Sequence, residues 1–124
     1  MPTSSEIEFR VAAFAAAAID VCESMVSKIG KAHLQDQLFR AATSVAANYA
    51  EACVPESRKD FAHKTNIALK ELIEIRMWLR IIAMRNYADQ NLVSRVLQET
   101  EELIKIFYAS VTTARRNLNE QERR

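Results

Sequence analysis

The chain has 124 residues, and its 49% of hydrophobic residues are enough for one domain with a core of its own. The same length excludes two ordinary domains. One glycine and two prolines leave few turn formers beside many helix formers, which favours an all-α protein and argues against a β-sheet. A formal net charge of +1 excludes a global electrostatic attraction to nucleic acid or to an anionic bilayer.

The cysteines and the hydropathy pattern predict a cellular location. Cys22 and Cys53 lie in apolar surroundings without the spacing of a disulfide or metal motif. No basic leader with a cleavage site opens the chain. The longest apolar stretches, VAAFAAAAI and WLRIIAM, fall short of the roughly 18 to 20 residues that a spanning helix needs. We therefore expect a cytoplasmic protein with reduced thiols and no membrane segment.

The first predicted helix covers residues 5–28. Its apolar residues recur at intervals of three and four, which places them on one face. These residues are Ile7, Val11, Phe14, Ala18, Val21 and Met25. Thr3 and Ser5 are each followed three residues later by a glutamate, so both positions offer a capping box, and Gly30 can adopt the left-handed turn after the helix end.

Two further helices are predicted in the middle of the chain. The second covers residues 34–53 and ends before Pro55, because the residue preceding a proline is disfavoured in helical geometry. The third covers residues 57–85 and begins with the capping pair Ser57 and Asp60. It carries a heptad seam over three repeats. The seam consists of Phe61, Thr65, Ala68, Leu72, Ile75, Leu79 and Ile82.

The fourth predicted helix covers residues 89–118, with Asp89 as its cap, and the polar residues 119–124 are expected to fray. Its apolar stripe is Val93, Leu97, Thr100, Ile104, Phe107, Val111, Ala114 and Leu118. Short connections force neighbouring helices to run in opposite directions. The sequence therefore predicts a single all-α domain over residues 1–124, folded as an up-down-up-down antiparallel four-helix bundle.

The second helix is neither strongly apolar nor strongly charged. Arg40, Ser44, Asn48 and Glu51, which we call the polar row, share one side of it. Alanine, leucine, valine and aromatic residues fill more than half of the circumference, a wider arc than a helix needs inside one bundle. Small residues on two flanks predict that this helix contacts its bundle neighbours and another subunit. The alternative is an alanine-rich helix packed tightly within one bundle.

The two charges of the polar row need partners elsewhere, because Arg40 and Glu51 are about three helical turns apart, roughly 16 Å. In one interpretation they meet solvent or charges on an adjacent helix, such as Lys70 or Glu74. In the other, which we favour, the row forms polar contacts at a subunit boundary and fixes its register.

Catalytic and metal-binding patterns are weak. A di-metal bundle needs paired Glu-x-x-His motifs; the nearest pattern is Asp60 with His63, and Asp60 is already explained as a cap. Cys22, Cys53 and Ser44 have no histidine on the same helix face, and one glycine cannot form a glycine-rich phosphate loop. We predict no metal, no cofactor and no enzymatic activity. An enzyme that uses Cys53 or His63 is a weaker hypothesis.

Positive charge is concentrated in two segments. Residues 57–85 carry seven basic and three acidic residues, a net of +4, and residues 111–124 carry four basic and two acidic residues, a net of +2. These cations are the candidates for phosphate contact, although they do not form one stripe. They are Arg58, Lys59, Lys64, Lys70, Arg76, Arg80 and Arg85 in the third helix, and Arg115, Arg116, Arg123 and Arg124 near the C-terminus.

Three sequence motifs together resemble a known family. The first comprises Leu38, Ala41 and the polar row; the second is Ser57 with Asp60 and Phe61; the third is Ile67, Ala68 and Glu74. This pattern resembles the bacterial four-helix-bundle family first noticed as proteins encoded within intervening sequences of 23S ribosomal RNA genes. The resemblance runs from about residue 34 to the end of the third helix.

The resemblance implies an assembly and a partner. Members look like cyclic homopentamers of bundles, and a related accessory protein of diversity-generating retroelements is a basic pentamer that binds nucleic acid and a reverse transcriptase. The resemblance thus implies a homopentameric scaffold with RNA or DNA as partner. The alternative is a protein-interaction adaptor with no role in nucleic-acid binding. One departure is Ala52, where the family usually has glycine, so the exit from the second helix is expected to turn less sharply.

Overall fold

Four α-helices contain almost all of residues 2–25 and 31–123, which are the residues described by this computed structural model. They are α1 (Ser4–Ser24), α2 (Lys31–Ala52), α3 (Arg58–Arg85) and α4 (Gln90–Glu122). Each helix packs against the next along the chain, and α4 returns to α1. The described residues contain no strand. The predicted all-α class and the antiparallel four-helix bundle are confirmed.

Three helix starts follow the predicted capping chemistry. The Thr3 hydroxyl accepts a hydrogen bond from the Glu6 N–H at 3.1 Å, and the Glu6 carboxylate accepts one from the Thr3 N–H at 3.1 Å. Ser57 and Asp89 cap α3 and α4 in the same way, each accepting from a backbone N–H in the first turn. These side chains satisfy donors that a helix start leaves without intrahelical partners.

Several predicted boundaries were wrong. α1 ends at Ser24, not at residue 28, because Met25 has extended backbone angles (φ −74°, ψ 124°). The predicted turn at Gly30 lies outside the described residues. α2 begins at Lys31, before the predicted residue 34. α4 continues to Glu122 where fraying was expected, since the added residues include good helix formers and no glycine or proline.

Most residues of the predicted apolar stripes lie in the core. On α4 the predicted stripe was partly wrong, because Leu97 and Ile104 are only half-buried whereas Val96 and Leu103, which it omitted, are buried.

Several long core side chains have no exposed surface, among them Leu38, Leu72, Leu79 and Phe107. The Phe107 ring lies against Tyr49, with ring centroids 5.0 Å apart and an interplanar angle of 31°. Ala41, Ala42 and Ala52 are buried on α2, and side chains this short let neighbouring helices approach closely. Among the described helices, none has the length and hydropathy needed to cross a membrane.

Candidate self-association and nucleic-acid surfaces

One end of the polar row is fastened to α3. Arg40 Nη2 lies 2.8 Å from Glu74 Oε1, and its Nη1 lies 3.4 Å from Glu71 Oε1. The indole N–H of Trp78 donates to the same Glu74 oxygen at 3.1 Å. The guanidinium therefore bridges two carboxylates one helical turn apart, and the Arg40 side chain is held along the α2–α3 seam.

The other end of the polar row also contacts α3. Lys64 Nζ lies 2.8 Å from Glu51 Oε2, and this hydrogen bond raises the pKa of Lys64. Between the two ends, the Asn48 amide donates to the Ser44 carbonyl oxygen at 2.9 Å and to its hydroxyl at 3.1 Å. The chain thus supplies partners for both charges of the row, as one of the two interpretations expected. A part for the row in a subunit contact stays a prediction.

A group of uncharged residues lies on the outside of α1 and α2. Its residues are all exposed and apolar, and we call it the outer face. It consists of Phe9, Ala12, Ala13 and Ala16 on α1 and of Phe39, Ala47 and Ala50 on α2. The Phe9 side chain is 78% exposed and that of Phe39 is 48% exposed.

Some of the charges near the outer face are held by other helices, whereas Asp20 and Asp36 are exposed at its edge. Arg10, the one charged residue between Phe9 and Ala16, forms a two-bond ion pair with Glu99 of α4 at 2.6 and 2.7 Å. On α2, Arg40 and Glu51 are held against α3. The outer face therefore presents hydrocarbon to water over about two turns of α1 and about three turns of α2, which is typical of an association surface.

The candidate phosphate contacts lie in several places. Lys64 is paired with Glu51, and Arg80 lies 3.4 Å from Glu101 of α4, so both cations already face carboxylates. Arg85 stacks on the Tyr87 ring, 5.6 Å from its centroid. The other candidates on α3 are distributed between exposed and half-buried positions. They are Arg58, Lys59, Lys70 and Arg76.

A second group of cations comes together on α4. Arg115, Arg116 and Arg123 line one shallow groove with Thr112 and Asn119, and we call these three arginines the arginine cluster. The groove also contains one acidic residue, Glu120. Arg124, the remaining candidate, lies outside the described residues. The arginine cluster is therefore the densest positive surface among the predicted phosphate contacts.

The residues considered for catalysis differ in their exposure to solvent. Cys22 is buried, Cys53 is half-buried at the end of α2, and His63 is exposed on the first turns of α3. Burial raises the pKa of the Cys22 thiol to about 11, and burial also raises the pKa of Cys53. The described residues contain no group of three or more His, Cys, Asp or Glu side chains close enough to hold a metal ion.

The raised thiol pKa values lead to a testable reactivity. At pH 8 we expect a disulfide reagent such as DTNB to label Cys22 on the order of a hundredfold more slowly in the folded protein than in urea, because its thiolate is scarce and buried. Half-buried Cys53 should react faster than Cys22. Labelling the variants Cys22→Ser and Cys53→Ser separates the two rates. Fast labelling of the remaining thiol in Cys53→Ser would contradict the expectation.

Sequence reasoning missed two features of these surfaces. The Arg10–Glu99 pair joins residues 89 positions apart, and neither residue carries a local signal of the other. Ile73, Met77 and Met84 form an exposed apolar stripe on α3, with Met84 83% exposed. They share one side of the helix at intervals of four and seven, a spacing that could have revealed the stripe from the sequence.

Comparisons with known proteins agree with the fold. No curated protein sequence matches the chain significantly. The chain is similar to the crystal structure of a protein of unknown function from the S23 ribosomal protein family of Bacteroides thetaiotaomicron, with 26% identity and a TM-score of 0.79 over 88% of this chain and 97% of that one. The model of the 23S rRNA-intervening sequence protein family matches residues 6–109. The resemblance seen in the motifs is confirmed, and this chain belongs to the 23S rRNA-intervening sequence protein family.

Proposed function

We propose that the chain assembles into a ring-shaped homo-oligomer, a homopentamer, and acts as a non-enzymatic scaffold that binds RNA or DNA. The observation that carries the assembly is the outer face, a group of seven exposed apolar residues on two adjacent helices. Burying apolar surface contributes about 25 cal/mol per Å². Short side chains also let the backbones of two subunits approach closely.

The polar row borders the outer face and would fix the orientation of two subunits in contact. Arg40 and Glu51 are already held by α3, so a neighbouring subunit meets side chains in fixed positions and little further conformational entropy is lost. Polar groups at the edge of an apolar contact fix its register. A contact between two different patches of the same chain, repeated by rotation, closes into a ring.

The arginine cluster supports the choice of nucleic acid as partner. Its three guanidinium groups lie on the last turns of one helix, and arginine matches phosphate geometry with two parallel hydrogen bonds. A ring repeats this cluster once per subunit, which raises the affinity of a weak site for a long strand. The family description, which ties its members to 23S rRNA genes, points to the same partner.

The mass in solution tests the assembly. Five chains of 14.1 kDa give a particle of about 70 kDa, and light scattering with size exclusion measures it directly. A single species of 14.1 kDa at micromolar concentration would contradict the proposed ring.

Electrophoretic mobility shifts at several salt concentrations test the nucleic-acid half. We expect the affinity for RNA or DNA to fall about tenfold or more between roughly 50 and 200 mM salt. Each counterion released on binding steepens the slope of log affinity against log salt concentration. Replacing the arginine cluster with alanines should weaken binding and flatten that slope. The matched control is Arg95→Ala, an exposed cation on the first half of α4. Equal effects of the cluster and control variants would contradict the assignment.

An adaptor for another protein is the second candidate, favoured by the exposed stripe of Ile73, Met77 and Met84. Methionine-rich surfaces adapt to the shape of protein partners. An intact ring that shifts neither RNA nor DNA at low salt would favour this adaptor over the nucleic-acid scaffold.

A further inference from the structure

A cavity at one end of the bundle follows from the unequal lengths of α1 and α4. The Arg10–Glu99 pair sets the two helices side by side. From there α1 extends only six residues to its start at Ser4, whereas α4 continues 23 residues to Glu122. The last turns of α4 therefore have no α1 beside them, although their apolar stripe continues.

This gap forms a cavity of about 880 Å³ that opens to solvent at one end of the bundle, and we call it the end cavity. It lies between the start of α1, the end of α2, the start of α3 and the second half of α4. Its walls are mostly apolar, with Ile7, Phe61 and Ile106 among them. The volume falls within the roughly 300 to 1,000 Å³ of typical small-molecule sites.

The two charged side chains that line the end cavity are both cations, although Glu8 lies near Tyr49 and Glu102 near Lys105. Arg58 and Lys105 are its charged lining residues, and no aspartate or glutamate lines it. Lys105 is 74% exposed and meets Glu102 only at 3.4 Å, an exposed pair that contributes little. A ligand with a negative group at the mouth and an uncharged body inside matches this arrangement.

Neutral hydrogen-bond donors lie in the same walls. Burial raises the pKa of Tyr49 to about 12, so its hydroxyl keeps its proton at neutral pH. Ser110 and Asn117 add short polar groups on α4. They are few beside the apolar walls, so the cavity offers a nucleobase edge few partners and suits a hydrocarbon chain better.

We propose that the end cavity is a binding site for a single-chain amphipathic carboxylate, that is, a free fatty acid. The alkyl chain lies against Ile7, Phe61 and Ile106, and the carboxylate meets Arg58 and Lys105. Each methylene that is buried should tighten binding by about fourfold. The site is separate from the arginine cluster, which lines a different groove, although Arg58 is also one of the predicted phosphate contacts.

Calorimetric titration of the full chain with dodecanoate, below its micelle concentration, tests the site. Dodecyltrimethylammonium has the same tail and the opposite charge. We expect its affinity to be lower than that of dodecanoate by a factor of about ten or more. Equal affinities would overturn the proposal, as would no binding of dodecanoate. A second experiment measures co-sedimentation of the protein with vesicles that contain phosphatidylglycerol. If the protein sediments with the vesicles but does not bind free dodecanoate, the cavity region contacts a bilayer and the fatty-acid proposal is overturned.

Variants locate the binding. The pair Arg58→Glu and Lys105→Glu should lower dodecanoate affinity about tenfold or more, and Ala109→Trp should abolish binding by filling the cavity from an exposed lining position. The matched control is Arg115→Glu with Arg116→Glu, the same charge change on α4 outside the cavity. Circular dichroism melting checks that each variant is folded. Unchanged affinity in the folded charge and Ala109→Trp variants would overturn the site.

Discussion

Replacing Phe107 with alanine should lower the free energy of unfolding by about 3 to 5 kcal/mol. Phe107 has no exposed surface and its ring lies 5.0 Å from that of Tyr49, so the substitution leaves a cavity between α2 and α4 and removes an aromatic pair. A domain of this size is stable by about 5 to 15 kcal/mol in total. The loss is therefore a large fraction of the stability of the fold.

Urea denaturation at one fixed protein concentration measures this loss, because self-association makes apparent stability depend on concentration. Tyr108→Ala is the matched control: the residue is next in the chain, also aromatic, and 65% exposed. We expect it to change the free energy of unfolding by about 0.5 kcal/mol or less. If the two variants lost the same stability, Phe107 would not lie in the core as described.

The fold could be predicted because helical periodicity alone determines which side of each helix is buried. Leu72, Ile75 and Leu79 step by three and four, and all three are fully buried. Cap chemistry is similarly local, so Thr3, Ser57 and Asp89 could each be recognised within one helical turn. Properties that depend on neighbours a few residues away in sequence were predictable.

Features that depend on distant residues were not predictable. The pairing of Arg10 with Glu99 requires the register of α1 against α4, which no local pattern encodes. That same register creates the end cavity, because it determines how far α4 extends past α1. The early end of α1 at Met25 had no glycine or proline signal at that position. The sequence therefore indicated which residues near the end cavity are apolar, but not that they line an open cavity.

The polar row and the outer face now have different expected roles. Sequence reasoning placed a subunit contact at the polar row, but Arg40 and Glu51 each have carboxylate or ammonium partners within the chain. The outer face has no such internal partners, since its residues are exposed hydrocarbon. If the chain assembles, the outer face should supply most of the association energy, and the row should set orientation at its edge.

Replacing Ala16 with glutamate should dissociate the proposed ring. Ala16 is exposed and is the last residue of the α1 part of the outer face, so the added carboxylate does not disturb the core but would be buried without a cation in each subunit contact. An uncompensated buried charge costs several kcal/mol, which weakens each contact by about a thousandfold or more. The expected species is a folded monomer of 14.1 kDa.

Light scattering at micromolar concentration measures the mass, and circular dichroism confirms that helices are retained. Gln98→Glu introduces the same side chain at an exposed position of α4, outside the outer face, and should leave the mass of the assembly unchanged. A ring that survives Ala16→Glu would place the subunit contact elsewhere on the bundle. Dissociation by both variants would mean that added negative charge, and not the outer face, controls assembly, because net charge opposes association at any surface.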